Sequence, residues 1–492
     1  MSEALADLRQ PVLVGIGTCM QREDDFAQAM EPMDLMLEAV RRAGHDAGGA
    51  QVLQGVQHIA VPKGRWRYRN PAGEIARAVG ADAATTVLAN LGVLQQTLIG
   101  EACQRIATGE IDSALVAGAD AGYRILRARQ AGQRASERQQ EDLPDVTLDA
   151  EEDLLHPAEL RAGIKMPVAL YAILESAWRA KKGLSMAEHQ RQLNAMAQAF
   201  SRVAAANPHA WRRKQLGLDD LQVSPDRNPM QAFPYTRLHC TSWNVDQAGA
   251  LLLCSASKAR ALGIASSQWV YALASTESNH MVPVSARDDL TRCVGAQLAG
   301  QSALAAGGLD ASALDLVELY SCFPIAVESF AHELGLSTAR DLTVTGGMPL
   351  AGGPFNNYVL QATCRMAELI RSGSGRNGIV SSVSGVLTKQ GFGLWAKQPG
   401  SRPFALDDVT AQTAAQTQTR QVADALDGNA RVAGYTVLHD KGQVARVLVL
   451  ADTDTGCRAL ASSDDPDLGA QVQATEFCGA KIRISGGLFS PA

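Results

Sequence analysis

Three patterns predict an α/β protein of two similar halves, with a helical insertion in the first half and a small β-barrel at the end. Short apolar runs alternate with helical periodicity over residues 1–120 and again over 269–385. A polar, helix-rich stretch separates these two regions, and beyond residue 405 the pattern changes to strand alternation. The chain has 492 residues, 46% hydrophobic and 20% charged, which is ample for a large core divided among domains. No run of about 18 apolar residues is present to span a bilayer.

The first strand is Pro11-Val-Leu-Val-Gly15, followed by a helix over 33–43 and strands at Val56–Val61 and Thr86–Ala89. After Gly92, the residues Leu94, Leu98, Ala102 and Ile106 share one helical face, Gly109 ends the helix, and Ala114–Gly118 follows as a strand. Residues 121–235 read as an inserted lobe; its acidic runs, Glu141–Asp145 and Asp149–Asp153, read as a solvated loop. The second half runs through a strand at Trp269–Ala274, a helix over 286–306 and a strand at Leu314–Tyr320. Helices over 325–335 and 358–372 follow, and then a strand at Gly378–Val380 entering Ser381–Gly385. Past the linker Gln398–Pro403, strands at Val432–Leu438 and Val444–Leu450 flank a Lys441-Gly442 turn. The expected domains are 1–265 with the lobe, 266–400, and 405–492.

Composition excludes several functions. Nine cysteines without a CxxC pair and nine histidines without an HxxxH pair argue against a metal centre or a disulfide framework. A net charge of −6 offers no footprint for nucleic acid. Gly15-Ile-Gly17 lacks the third glycine and the following acid of a dinucleotide site. The first residues have no basic, apolar leader pattern, so the expected location is the cytoplasm.

Five segments in order carry a family resemblance: Ile106-Ala-Thr-Gly109, Ala114–Gly118, Asn244-Val-Asp246-Gln-Ala-Gly249, Val317–Phe323 and Gly346–Pro354. Over residues 10–398 the chain resembles the thiolase superfamily. It is most similar to thiolase-like proteins called acetyl-CoA acetyltransferases that carry a C-terminal OB-like domain. The resemblance implies a layered α-β-α-β-α fold, an acyl-CoA ligand or substrate, coenzyme A in place of any covalently bound cofactor, a role in lipid metabolism, and a monomer or homodimer.

A thiolase uses a cysteine nucleophile to form an acyl-enzyme, a histidine to activate it and a second cysteine as acid and base. The matching positions here are Gly92, fourteen residues before Ile106, then Gly353 in Gly352-Gly353-Pro354, and Ser381. With all three side chains replaced, the usual thiolase route is closed. The resemblance assigns CoA contact to Ser242, pantetheine packing to Phe323 and oxyanion-type backbone donors to the neighbourhoods of Gly92 and Val383. Asn356 reads either as a carbonyl donor or as a helix cap. The two lost side chains imply either a widened acyl pocket at Gly92 and Gly353 or a collapsed one.

Tyr320 stands where thiolases have an asparagine, and Tyr320-Ser-Cys-Phe323 resembles the motif of the superfamily's side-chain-cleaving aldolases. Their second tyrosine falls on Gly353, and Tyr358 is five residues on. Tyr320 reads either as catalytic or as a structural tyrosine, and Cys322 either as a relocated nucleophile or as a buried thiol. Trp211-Arg-Arg-Lys214 and Arg65-Trp-Arg-Tyr-Arg69 combine cations with aromatics, suited to the adenine and phosphates of CoA or simply to a solvated surface. These residues support an acyltransferase-type or C–C bond-making or -breaking enzyme on a CoA thioester. The alternatives are a retro-aldol lyase on 3-hydroxyacyl-CoA using Tyr320, and a non-catalytic CoA-binding or assembly module.

Overall fold

A computed structural model describes residues 8–150, 154–164, 166–423 and 426–492. Its framework grows from two helices that are apolar on more than one face. Gln95–Thr108 buries Leu98, Ile99, Ala102, Cys103 and Ile106, and Tyr358–Arg371 buries nine residues, so neither is stable without cover on both sides. Each packs against strands from both halves of the chain and so forms the central layer.

On one side lie Pro11–Gln21, Asp246–Ser255, Ser113–Ala121, His58–Pro62 and Thr85–Ala89, adjacent in that order. On the other lie Val270–Ser278, Lys389–Ala396, Asn377–Ser384 and Leu316–Glu318. The two strand sets join edge to edge where Val12 and Leu13 pair with Tyr271 and Val270. Helices Pro32–Asp46 and Pro71–Val79 cover the first set and Val294–Gly307 covers the second, completing the α-β-α-β-α layering. A Cβ on Gly17 would lie 1.9 Å from the Ala39 carbonyl oxygen, and one on Gly15 2.2 Å from that of Ala43. Gly15-Ile-Gly17 therefore serves helix-on-strand contact.

Strands Gly428–Asp440, Gln443–Thr453, Arg458–Ser463, Leu488–Pro491 and Lys481–Ser485 pair in a ring, since the first and second also bond to each other. This closed five-stranded barrel is OB-like and has its own core of Val437, Val449, Ile482 and Phe489. Ala405–Asp408 stands outside the ring, where it adds a parallel strand to the large sheet beside Val270–Ser278. The inserted lobe is fastened to the barrel: Ala232 pairs with Leu438, and the fully buried Arg179 of helix Val168–Lys181 donates to Glu476 at 2.9 Å and to Tyr435 Oη at 3.0 Å.

Part of the expected acidic loop is an edge strand. Asp145 accepts from the Thr86 N–H at 2.8 Å and its hydroxyl at 2.7 Å, which places Val146–Leu148 alongside Thr85–Ala89. Residues 151–153 of that expectation lie outside the described residues. All nine cysteines are free and six are buried. Among the described residues no helix is long and apolar enough to cross a membrane.

His58, 2% exposed at the start of its strand, has Nδ1 2.6 Å from Arg105 Nη1. Burial, reinforced by the Arg105 charge, pushes its pKa from 6.5 down to about 4. The folded state holds this imidazole neutral while the unfolded chain protonates it, so its contribution is complete above pH 6.5 and is lost as pH falls toward 4. The urea midpoint should fall over that interval, and His58→Gln should flatten the fall by up to about 1.4 kcal/mol per pH unit. Identical profiles for both proteins would contradict this assignment.

Candidate functional site

The site is assembled around a buried carboxylate. Glu318 ends its strand at 0% exposure and accepts from the Val344 and Thr345 N–H groups at 2.7 and 2.9 Å, the Thr343 hydroxyl at 3.0 Å and Tyr358 Oη at 2.6 Å. Thr345 Oγ1 also lies 2.7 Å from Tyr358 Oη. These bonds hold the glycine-rich loop 343–353 and the start of helix Tyr358–Arg371 against the segment Tyr320–Phe323. They also engage the Tyr358 hydroxyl, which leaves it unable to replace the missing aldolase tyrosine.

Contacts link most of the expected site residues. The Tyr320 N–H donates to Ser381 Oγ at 2.8 Å, and the rings of Tyr320 and Tyr358 meet edge to face at 5.7 Å. Thr241 donates to the Cys322 carbonyl from its N–H at 3.2 Å and its hydroxyl at 2.9 Å. Gly353 donates to the Ser242 carbonyl at 3.0 Å, while the Ser242 hydroxyl donates to Pro349 at 2.7 Å. Asn356 Oδ1 accepts from Gln95 Nε2 at 3.1 Å, and Gln95 Oε1 accepts from the Val359 N–H at 2.8 Å. Asn356 Nδ2 is buried without a partner. Gly92 lies in the turn before helix Gln95–Thr108, and Val383 pairs with Gln390 near the end of strand Asn377–Ser384.

The space beside the two glycines expected at thiolase positions is filled. Gly92 has φ +102°, and a Cβ there would meet that of Ala150 at 2.5 Å. At Gly353 a Cβ would meet Thr241 Cγ2 at 2.3 Å and Met348 Cε at 2.9 Å. Of the two readings of these glycines, the packing matches the closed one. Burial pushes the Cys322 thiol up to about 12 and raises the Tyr320 phenol above its ordinary range. Cys322 is thus a neutral thiol at pH 7, without the electropositive setting of a nucleophile. Among the described residues the Tyr320 hydroxyl has no hydrogen-bond partner.

Phe323 is stacked by two rings from the lobe that sequence reasoning missed, Tyr171 at 4.5 Å and Tyr235 at 5.6 Å. Behind them, Glu175 accepts from Tyr235 Oη at 2.5 Å and lies 2.7 Å from His189 Nε2. Burial and the charge of Glu175 keep Glu328 protonated. Among the described residues, Glu175, His189 and Glu328 alone bring three ligand-type atoms within 4.8 Å of one another. Hydrogen bonds already satisfy Glu175. Glu175 and His189 lie on successive helices and Glu328 on a third far along the chain, so no spacing motif announced them.

Asp246, in the family-like Asn244–Gly249 segment, accepts from the Tyr123 and Arg124 N–H groups at 2.8 and 3.0 Å and so caps helix Gly122–Gln130. In the segment 65–69, Trp66 and Tyr68 are core residues and Arg65 pairs with the buried Asp120. Packing accounts for that segment without a ligand.

Two spaces open beside the site. A cleft of about 360 Å³ is lined by the cations Arg22, Arg212, Arg213, Lys214, Arg227 and Arg237 and by the carboxylates Asp219 and Asp220, the latter paired with Lys214, with Trp211 in its wall. Among the described residues Arg22, Arg212 and Arg237 have no carboxylate partner. Trp211 is only 8% exposed, covered by Arg22 and Tyr123, so the cations rather than the indole face the cleft. The Trp211 and Arg212 N–H groups donate to Ala351 and Leu350 of the glycine-rich loop at 3.0 and 2.8 Å. Leu238 and Leu350 line both this cleft and a small apolar slot that reaches Ser321 and Phe323.

No protein-family model matches the sequence. Among solved structures, a monomeric SCP2-thiolase-like protein type 1 from Mycobacterium smegmatis matches 99% of this chain and 100% of its own, with TM-score 0.82 and 27% identity. An Ltp2-ChsH2(DUF35) aldolase matches 80% of this chain and 99% of its own, with TM-score 0.61 and 19% identity. Human mitochondrial 3-ketoacyl-CoA thiolase, in a complex with CoA, matches 79% and 98%, with TM-score 0.55 and 17% identity. The lower-identity pairs share the fold, and the first match extends over the full length at higher identity. With its layered halves and fused barrel, the chain is a thiolase-like protein of the thiolase superfamily.

Proposed function

We propose that this protein binds a coenzyme A thioester and acts on its acyl group without forming a thiolase acyl-enzyme. The observation that carries the reading is the Arg22, Arg212 and Arg237 group, without carboxylate partners among the described residues, in a cleft suited to the phosphates of CoA and adjacent to the apolar slot of Phe323. The CoA found in a thiolase of the same fold supports it. Ser242, Phe323, Asn356 and the backbone near Gly92, Gly353 and Val383 are the assigned contact region. Bond making or breaking would draw on neutral donors, because the thiols present are buried and protonated.

A retro-aldol reaction on a 3-hydroxyacyl-CoA is the second reading, favoured by the unpartnered and protonated hydroxyl of Tyr320. A neutral phenol can donate to the departing or developing oxygen. The third, a silent CoA-binding module, shares the cleft and lacks turnover.

Calorimetry with CoA should detect binding that weakens with salt, and Arg212→Ala or Arg237→Ala should each reduce affinity about tenfold. Equal affinity in both variants, or no binding at millimolar CoA, would overturn the reading. Installing thiolase side chains should fail: Gly92→Cys and Gly353→His are each expected to lower stability by about 1–3 kcal/mol, and the double variant to cleave no 3-ketoacyl-CoA. Measurable thiolysis by that variant would show that the site is open after all. For the lyase reading, Tyr320→Phe should abolish cleavage of 3-hydroxyacyl-CoA while leaving CoA affinity unchanged; retained cleavage would remove Tyr320 from the reaction.

A further inference from the structure

His239 is built as a reserved hydrogen-bond donor. It closes the 3₁₀ turn Arg237–His239, where its Nδ1 accepts from the Thr236 N–H at 3.3 Å and lies 3.0 Å from Thr236 Oγ1. A backbone N–H can only donate, so Nδ1 is the unprotonated nitrogen and the neutral ring carries its proton on Nε2. The side chain is 2% exposed, and burial pushes its pKa down to about 4, so the ring is neutral at pH 7. Nε2 is buried and has no partner among the described residues. A buried donor left unsatisfied is costly, which a structural histidine would avoid.

The slot that His239 lines has mostly apolar walls, formed by Leu193, Phe200, Phe323, Val327 and Leu350, with Ser321, whose Oγ accepts from the Met348 N–H, as the other polar side chain. Its free space is about 20 Å³, enough for one water or one oxygen-sized group and too small for an acyl chain. Leu238 and Leu350 line both this slot and the cationic cleft, so the two are adjacent.

Resting on the CoA reading above, we propose that the slot receives a carbonyl oxygen of a bound acyl-CoA, with His239 Nε2–H as its donor. The carbonyl belongs either to the thioester or to a pantetheine amide; both present the same acceptor. In the thioester case the bond also polarises the reacting carbonyl, placing His239 among the catalytic residues.

The test compares wild type, His239→Phe and His239→Gln with CoA, with acetyl-CoA and with a thioether analogue lacking the thioester carbonyl. Loss of about tenfold in affinity for acetyl-CoA alone in His239→Phe, restored by His239→Gln, assigns the bond to the thioester. Equal loss with all three ligands assigns it to a pantetheine amide. The infrared band of the ¹³C-labelled thioester carbonyl, read on bound wild type, should shift to lower frequency in the first case and stay at its free position in the second. That readout remains available if His239→Phe fails to fold. Unchanged affinities in both variants, or a pantetheine amide band and a thioester band both at their free positions, would overturn the proposal while leaving CoA binding intact. If wild type binds none of the three ligands, the CoA reading and this one fall together.

Discussion

A fully buried carboxylate is tolerable only when enough donors surround it, and Glu318 imposes that condition on the middle of this protein. Its donors come from the backbone at Val344 and Thr345, from the Thr343 hydroxyl and from Tyr358. Meeting the requirement folds the loop 343–353 across the end of the strand, where Gly346 and Gly347 adopt positive φ, and sets the first turn of a central helix. Tyr320–Phe323 follows directly from Glu318. The placement of the site therefore follows from satisfying one buried carboxyl group, whose pKa burial raises.

The same compactness explains what became of the thiolase positions. A cysteine or histidine needs a Cβ and room beyond it, and Ala150, Thr241 and Met348 already occupy that volume. Polar capacity has moved instead to the flank, where cations line a cleft, while Phe323 is clasped by two tyrosines. The inserted lobe supplies Tyr171, Tyr235 and most of the cations, with His239 just past its end, so it forms one wall of the site as well as covering it. Arg179 and the pairing of Ala232 with Leu438 anchor that lobe to the barrel, so the barrel supports the wall from outside.

Much of this was legible from sequence because it is local. Periodicity located the central helices, since the residues at i, i+4 spacing from Leu94 to Ile106 are the buried ones, and strand alternation around Lys441-Gly442 located the hairpin of the barrel. Less legible were elements whose role depends on a distant partner: the acidic run holds an edge strand because Thr86 needs an acceptor, and Ala405–Asp408 joins the large sheet because Val270–Ser278 has an open edge. Trp66 and Tyr68 look like a ligand surface in sequence and are core in space.

The sequence by itself determined the α/β class, the order of elements and the barrel, because each depends on residue identity and short-range periodicity. Only the tertiary structure decided whether the vacated positions are open or closed, which hydroxyls and imidazoles are free, and where unpaired cations collect. Those properties depend on distances between residues far apart in the chain: Thr241 against Gly353, Tyr358 against Glu318, and Arg212 beside Arg22 and Arg237. A linear pattern carries the identity of each group, while its burial and its partners set its chemistry.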